Sequence, residues 1–311
     1  MKILITGVHG FVGTNLVKAL SKEHTIYGLD IISPIKDGVR YTFSWDFLDK
    51  PDEIPAVDAI IHLAGKAHDT KNEAAADVYF KVNTDLTKKI YDYFLAHDSI
   101  KKFIFFSTAK AAADKVEGVL TEDVAPTPVG PYGESKIAAE KYIQDHLVAD
   151  KQVYILRPCM IHGPGNKGNL NLLYGVVKKG IPWPLGAFEN RRTFTSIENL
   201  CFVINGLLTK DVPTGIYNIG DDEALSTNEL IEEICKSLGK KAHVWKLPKG
   251  MMNGVAKIGG ALHMPLDSER LRKLTENYIS SSAKIKKALG VEKMPVDARE
   301  GLKVTLKSFA K

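Results

Sequence analysis

Apolar residues cluster along this chain in short unbroken runs separated by helical patterns. Ile3, Leu4 and Ile5 form the first run, which ends at Gly7. A brief apolar run without alternation, stopped by glycine, predicts a strand buried on both faces of a parallel sheet. Leu16, Val17 and Leu20 follow at helical spacing. Further strands are expected over Thr25 to Asp30, Tyr41 to Trp45, Ala59 to Leu63, Lys102 to Phe106 and Gln152 to Arg157, the last closed by Pro158. Helical periodicity runs from Asp77 to Leu95 through Phe80, Leu86, Ile90, Tyr93 and Phe94, and again from Tyr132 to about His146. Strands and helices in alternation predict an α/β doubly wound parallel sheet with its ligand crevice at the C-terminal ends of the strands.

Beyond Cys159 the pattern is less regular. Asn169 to about Asn190 reads as one piece, and Thr193 to Gly220 as a return to the sheet, with Tyr217 to Gly220 ending a strand. Asp221 to Lys311 is mostly helical and includes an amphipathic helix over Asn228 to Leu238 behind the candidate cap Ser226. The division that follows is a nucleotide-binding domain over 1–158, joined by 191–220, and a smaller, mostly helical substrate-binding domain over 159–190 and 221–311.

Composition narrows the class without naming a function. The 311 residues are 44% hydrophobic and 25% charged, ordinary for a soluble globular protein. The net charge is +5, with both signs mixed along the chain and no basic tail or arm, so a nucleic-acid partner is not expected. Cys159, Cys201 and Cys235 form neither a disulfide framework nor a metal pattern, which suits a reducing cytoplasm and no bound metal. The N-terminus reads as a strand rather than a signal peptide, and no run of eighteen apolar residues exists, so no membrane partner is expected. Gly250 to Leu262, small and apolar but broken by Asn253 and Lys257, reads as a packed helix rather than a membrane contact.

The chemistry-bearing residues fall at the strand ends. Gly7-Val8-His9-Gly10-Phe11-Val12-Gly13 links the first strand to a helix, a context in which glycines admit a pyrophosphate to the helix N-terminus. Gly7, Gly10, Phe11, Val12 and Gly13 are therefore candidate dinucleotide contacts. Asp30 ends the second strand, where a carboxylate accepts from ribose hydroxyls and repels a 2′-phosphate, favouring NAD over NADP. Asp46 and Phe47 are placed to touch the adenine. Leu63, Ala64 and Gly65 let a flat cofactor lie close. Asn83 lies within a helix and, taken alone, reads as a surface residue. Ser107 and Thr108 bring hydroxyls to the end of the fifth strand, either able to bond a substrate oxygen. Tyr132 and Lys136, four apart on a helix, share one face, where a lysine ammonium lowers a phenol's pKa. The same spacing recurs at Tyr174 and Lys178, outside the crevice, and reads there as a helix-surface feature.

In this order, Gly7-x-x-Gly10-x-x-Gly13, Asp30, Leu63-Ala64-Gly65, Asn83, Ser107-Thr108 and Tyr132-x-x-x-Lys136 resemble the extended short-chain dehydrogenases/reductases. They are most similar to the NAD-dependent nucleotide-sugar epimerase/dehydratase family, with its Rossmann-type fold. The resemblance implies Tyr132 as acid/base, Lys136 as its partner and a holder of the nicotinamide ribose, and Thr108 as the active-site hydroxyl, with Ser107 the alternative. It implies that Pro158 lies by the nicotinamide, that Asn83 and Ser107 belong to the cofactor site, and that Asn169, Leu170 and Arg192 contact a UDP-sugar. Arg191 stands as the alternative to Arg192. A homodimer through the helices near 77–95 and 132–146 is also implied.

Departures from the family pattern narrow the reaction. Thr108-Ala109-Lys110 lacks the acid that 4,6-dehydratases carry after the threonine, and alanine transfers no proton. Ala111-Ala112-Ala113 and Arg157-Pro158-Cys159-Met160 differ from galactose epimerases. Gly165 to Leu170, Pro182 to Gly186, Arg191-Arg192 and the helix over Lys284 to Leu289 resemble 4-keto-sugar reductases of polysaccharide pathways. The expectation is a UDP-4-keto-6-deoxy-N-acetylhexosamine 4-reductase, with UDP-hexose 4-epimerase as the alternative. A non-catalytic dinucleotide-binding sensor or scaffold is the alternative of another class.

Overall fold

A computed structural model describes residues 1–50, 55–66, 75–261 and 267–310. The first half runs β1 (Lys2–Thr6), α1 (Phe11–Leu20), β2 (Thr25–Leu29), β3 (Tyr41–Phe43), β4 (Ala59–His62), α2 (Ala76–Phe80), α3 (Leu86–Ala96), β5 (Lys102–Phe106), α4 (Ala109–Ala112), β6 (Val119–Leu120), α5 (Gly130–Asp145) and β7 (Gln152–Pro158). The remainder runs β8 (Met160–His162), α6 (Asn169–Lys178), β9 (Phe194–Ser196), α7 (Ile197–Thr209), β10 (Gly215–Ile219), α8 (Thr227–Ser237), α9 (Lys249–Ala261), α10 (Ser268–Thr275), β11 (Ile279–Ser280), α11 (Ala283–Leu289) and α12 (Ala298–Phe309).

Seven strands form one parallel sheet in the order β10-β7-β5-β4-β1-β2-β3. Alternate residues of the apolar runs feed opposite faces, as the strand period of two requires. Ile3 and Ile5 pack with Leu16 and Leu20 of α1 and with Leu200, Val203 and Leu207 of α7. Leu4 points the other way, into Phe103, Phe105, Ile90 and Phe94 of β5 and α3 and Ile143 of α5. Neighbouring strands depart in opposite directions from β1, so β1 and β4 flank the topological switch point, where such sheets bind their ligand. The glycine turn after β1 and Leu63-Ala64-Gly65 after β4 both open there.

A third core holds the rest of the chain together. Tyr174, Leu230, Ile234, Leu302 and Leu306 join α6, α8 and α12. Ser226 caps α8 in a reciprocal box with Glu229. Two short parallel pairs, β6 with β11 and β8 with β9, tie this part to the sheet.

Two sequence expectations change. The single helix expected over 77–95 is two α-helices joined by a π turn over Lys81–Asp85. Tyr174 is not a surface residue: it is buried, edge-on to Phe309 at 5.4 Å. Its helix is packed on that face, and spacing alone does not say which face is covered. Among the described residues no helix is long and apolar enough to cross a membrane.

Candidate active site

The glycine turn leaves a helix end open to an anion. Gly7 takes φ +69°, its carbonyl receives the Gly10 amide at 3.0 Å, and Gly10 caps α1 without any side-chain bond. A Cβ on Gly13 would stand 2.5 Å from the Gly7 carbonyl oxygen, so only glycine permits this close turn. The unpaired N–H groups of the first helical turn suit a pyrophosphate. Asp30 follows β2, and its carboxylate accepts from the amides of His9 at 2.9 Å and Ile31 at 2.8 Å. These residues fit the dinucleotide that the sequence implies.

A buried relay braces the β4 end, and sequence reasoning missed it. The Ala64 amide donates to Thr6 Oγ1 at 3.0 Å, which lies 2.7 Å from His62 Nδ1. His62 Nε2 lies 2.9 Å from Thr87 Oγ1, which donates to the Asn83 carbonyl at 2.7 Å. Burial, reinforced by the Lys136 charge, holds the His62 pKa well below the ordinary histidine value. The ring is therefore neutral, accepting at Nδ1 and donating at Nε2. Asn83 is fully buried rather than on the surface, because the π turn rotates it inward. It brackets Lys66, accepting from its amide at 2.7 Å and donating to its carbonyl at 3.1 Å, and donates to Ser135 Oγ at 3.0 Å.

Thr108, Tyr132 and Lys136 come together at the end of β5. Thr108 caps the short α4, accepting from the Lys110 amide at 3.3 Å, and its hydroxyl is hydrogen-bonded to the Tyr132 phenol. Gly133 allows this approach, since a Cβ there would meet the Lys110 carbonyl oxygen at 2.9 Å. Lys136 Nζ donates to the Phe106 carbonyl at 2.9 Å and lies 5.0 Å above the Phe105 ring. Burial brings the Lys136 pKa down to about 8, against an opposing effect of Glu140. The expectation of a lowered Tyr132 pKa is corrected: burial raises it, partly offset by the Thr108 bond. Desolvation of the phenolate outweighs what helix spacing alone suggests.

The two open alternatives separate geometrically. Ser107 turns away and donates to Glu140, itself held by Arg157 through Nε at 3.0 and 3.2 Å and Nη2 at 2.6 Å. Its hydroxyl is thereby committed beneath the site, leaving Thr108 as the hydroxyl beside Tyr132. Arg191 is exposed and bonded to Glu229 at 3.1 Å. Arg192 instead reaches the Lys273 carbonyl and lies 6.0 Å from the Tyr278 ring.

Other candidates keep their place in the fold but not all face a crevice. Pro158 ends β7 opposite Ile219. Phe11 and Val12 open α1 and pack partly against the first core. Asp46 is exposed, while Phe47 stacks on Phe43 at 4.3 Å in the second core. Asn169 is exposed at the start of α6, and the Leu170 side chain is buried in the third core, so only its backbone can meet a ligand. Arg272, which the sequence reading did not single out, pairs with Asp114 at 3.2 Å and Glu276 at 2.8 Å. Asp114 also holds Lys110 at 2.9 Å, so cationic side chains from both halves meet here. No cluster able to hold a metal ion occurs among the described residues.

A doubly wound sheet with an anion-receptive glycine turn and a Thr-Tyr-Lys set at the end of β5 defines an extended short-chain dehydrogenase/reductase. The sequence pattern of the NAD dependent epimerase/dehydratase family matches residues 3–220, and the chain belongs to that family. NAD is the family's cofactor, and this chain is an NAD-dependent nucleotide-sugar enzyme of the epimerase/dehydratase type. The chain is 32% identical to a UDP-glucose 4-epimerase of Vibrio cholerae, over 99% of this chain and 95% of that protein. It is 27% identical to the N-acetyl-alpha-D-glucosaminyl-diphospho-ditrans,octacis-undecaprenol 4-epimerase of Escherichia coli O157:H7, over 92% of this chain and 84% of that one. The structure of a Bacillus cereus UDP-glucuronic acid 4-epimerase in complex with NAD shares the fold, with a TM-score of 0.75, 22% identity and coverage of 100% and 99%.

Proposed function

We propose that this enzyme is a UDP-hexose 4-epimerase. The observation that carries the reading is Tyr132, bonded to Thr108 and one helical turn from Lys136, in the crevice of an NAD-binding sheet. Full-length likeness to a UDP-glucose 4-epimerase favours epimerisation over net reduction. When bound, NAD supplies a hydride acceptor and donor for the sugar C4. Tyr132 takes the proton of the C4 hydroxyl and returns it, so no net proton is consumed. Thr108 orients that oxygen by hydrogen bonding. Lys136 supplies positive charge that favours the phenolate against the burial that opposes it. Asp30 and the glycine turn hold the dinucleotide, and Arg192 pairs with diphosphate oxygens.

A 4-keto-6-deoxy UDP-N-acetylhexosamine 4-reductase is the second reading. The sequence over Gly165 to Leu170 and the doubled Arg191-Arg192 favour it. Incubation with UDP-glucose and UDP-N-acetylglucosamine, without added reduced cofactor, separates the two. Interconversion with the galacto sugar supports the epimerase. Stoichiometric consumption of NADH by a 4-keto sugar, with no interconversion, replaces it with the reductase. Tyr132→Phe is expected to lower turnover by at least ~100-fold while NAD binding persists; unchanged turnover removes Tyr132 from the chemistry in either case.

A further inference from the structure

Outside the crevice, the chain carries a segment of unusual charge. Between Glu233 and Asp267 there is no acidic residue, but there are six lysines. Without that segment the 42 basic residues fall to 36, against 37 acidic ones. The whole positive balance of the molecule therefore lies in this one stretch. It contains α9, whose apolar residues occupy two faces. Met252 and Ala256 are buried in the third core. Met251, Val255 and Ile258, at i, i+4 and i+7, form a second stripe that is 47%, 42% and 61% exposed. Gly250 and Gly254 have open space where a Cβ would stand, so nothing within the described chain covers that side. Lys246, Lys249 and Lys257 are exposed along the helix and its approach, as is Trp245 at 53%.

We propose that the outer face of α9 and the lysine-rich chain entering it form a peripheral docking surface for an anionic lipid bilayer. An apolar stripe flanked by lysines is the pattern of a helix lying in the membrane interface. The bilayer supplies both complements: an acyl boundary for the stripe and phosphate headgroups for the lysines. A second copy of the chain is disfavoured as the occupant, because it would set one lysine-rich face against another. At 13 residues α9 is about 20 Å long, too short to span a membrane, so it lies flat. The sequence expectation of no membrane partner rested on the absence of a spanning run and on reading Gly250 to Leu262 as a packed helix rather than a membrane contact; Met252 and Ala256 are packed, but Met251, Val255 and Ile258 are not.

The test is co-sedimentation of the intact protein with vesicles of phosphatidylcholine, with and without about one third phosphatidylglycerol. Binding to the anionic vesicles alone is expected, reversed at about 0.5 M salt. The triple variant Lys246→Gln/Lys249→Gln/Lys257→Gln should bind about 100-fold more weakly, at about fivefold per lysine. Met251→Gln/Val255→Gln/Ile258→Gln, altering exposed residues only, should abolish binding and keep the wild-type circular dichroism and enzymatic activity. A blue shift of tryptophan emission on adding anionic vesicles, absent in Trp245→Phe, is expected as well. No sedimentation with anionic vesicles, or equal binding by the wild type and the glutamine-stripe variant, overturns the proposal. So does a concentration-dependent dimer that the stripe variant dissolves, which would make a second copy the occupant.

Discussion

Lys136 sits in the candidate site as a charge that the fold resists. Its pKa is brought down to about 8, chiefly by burial, whereas in the unfolded chain a lysine titrates near 10.4. Below about pH 8 the ammonium is charged in both states, and folding carries the full cost of burying it. As pH rises from about 8 to about 10.4, the folded state loses its proton first and stability rises. Lys136→Met lacks this titration. The difference in unfolding free energy between wild type and variant should be flat below pH 8. Above it, the difference should shift toward the wild type by up to about 3 kcal/mol. Urea titrations of the ligand-free proteins at pH 7 and pH 10 measure it, and a difference equal at the two values rejects the buried-charge account. The raised Tyr132 pKa makes the same point: the helix spacing that nominates the pair is visible in the sequence, but the burial that governs both groups is not.

At the scale of elements, α5 carries candidate site residues and their support at successive turns. Tyr132 and Lys136 face the site, and Glu140, one turn further, joins Arg157 of β7 and Ser107 after β5 beneath it. The ion pair is almost wholly buried, at 2% and 0% side-chain exposure. Removing one partner leaves the other charge buried and unpaired, which costs about 3–5 kcal/mol. Arg157→Met and Glu140→Leu should each destabilise by that amount in chemical denaturation. The double variant should recover most of the loss, because it leaves no orphan charge. Additive losses in the double variant would instead show that packing, not charge, governs the region.

The same elements show what sequence patterns convey. The strands are readable from Ile3-Leu4-Ile5 and Lys102 to Phe106 because burial on both faces demands unbroken apolar runs. The glycine turn is readable because close backbone approach tolerates nothing larger. The π turn at Lys81–Asp85 leaves no such mark, since its residues are ordinary helix residues and the rotation of Asn83 is set by partners far along the chain. The His62 relay and the Glu140–Arg157–Ser107 network are hidden for the same reason: His62 and Glu140 bond side chains at least 17 positions away.

For the whole molecule, the wall beside α4, which follows the candidate Thr108, is assembled from both halves. Tyr278, next to β11, donates its hydroxyl to the Ala113 carbonyl at 2.9 Å, and Lys110 lies 4.9 Å above its ring. Arg272 of α10 pairs with Asp114 from the other half. Arg192 completes this wall, its main chain bridged to Leu225 and its guanidinium beside Tyr278. Arg191, adjacent in sequence, belongs to a different surface, where Glu229 is shared with Arg299 at 2.6 Å. The two arginines should therefore separate in kinetics. Arg192→Ala removes charge-assisted bonds proposed to reach the diphosphate and should raise KM for the UDP-sugar about 10- to 100-fold. NAD binding, measured by calorimetry, should be unchanged. Arg191→Ala removes an exposed ion pair worth under about 1 kcal/mol and should leave KM within about threefold of wild type. The opposite ranking would move the diphosphate to the α8 surface, and equal effects would mean that neither arginine holds it. Because the wall spans both halves, Tyr278→Phe should raise KM as well, with kcat little changed, since it removes the bond to Ala113 that holds the ring beside Arg192.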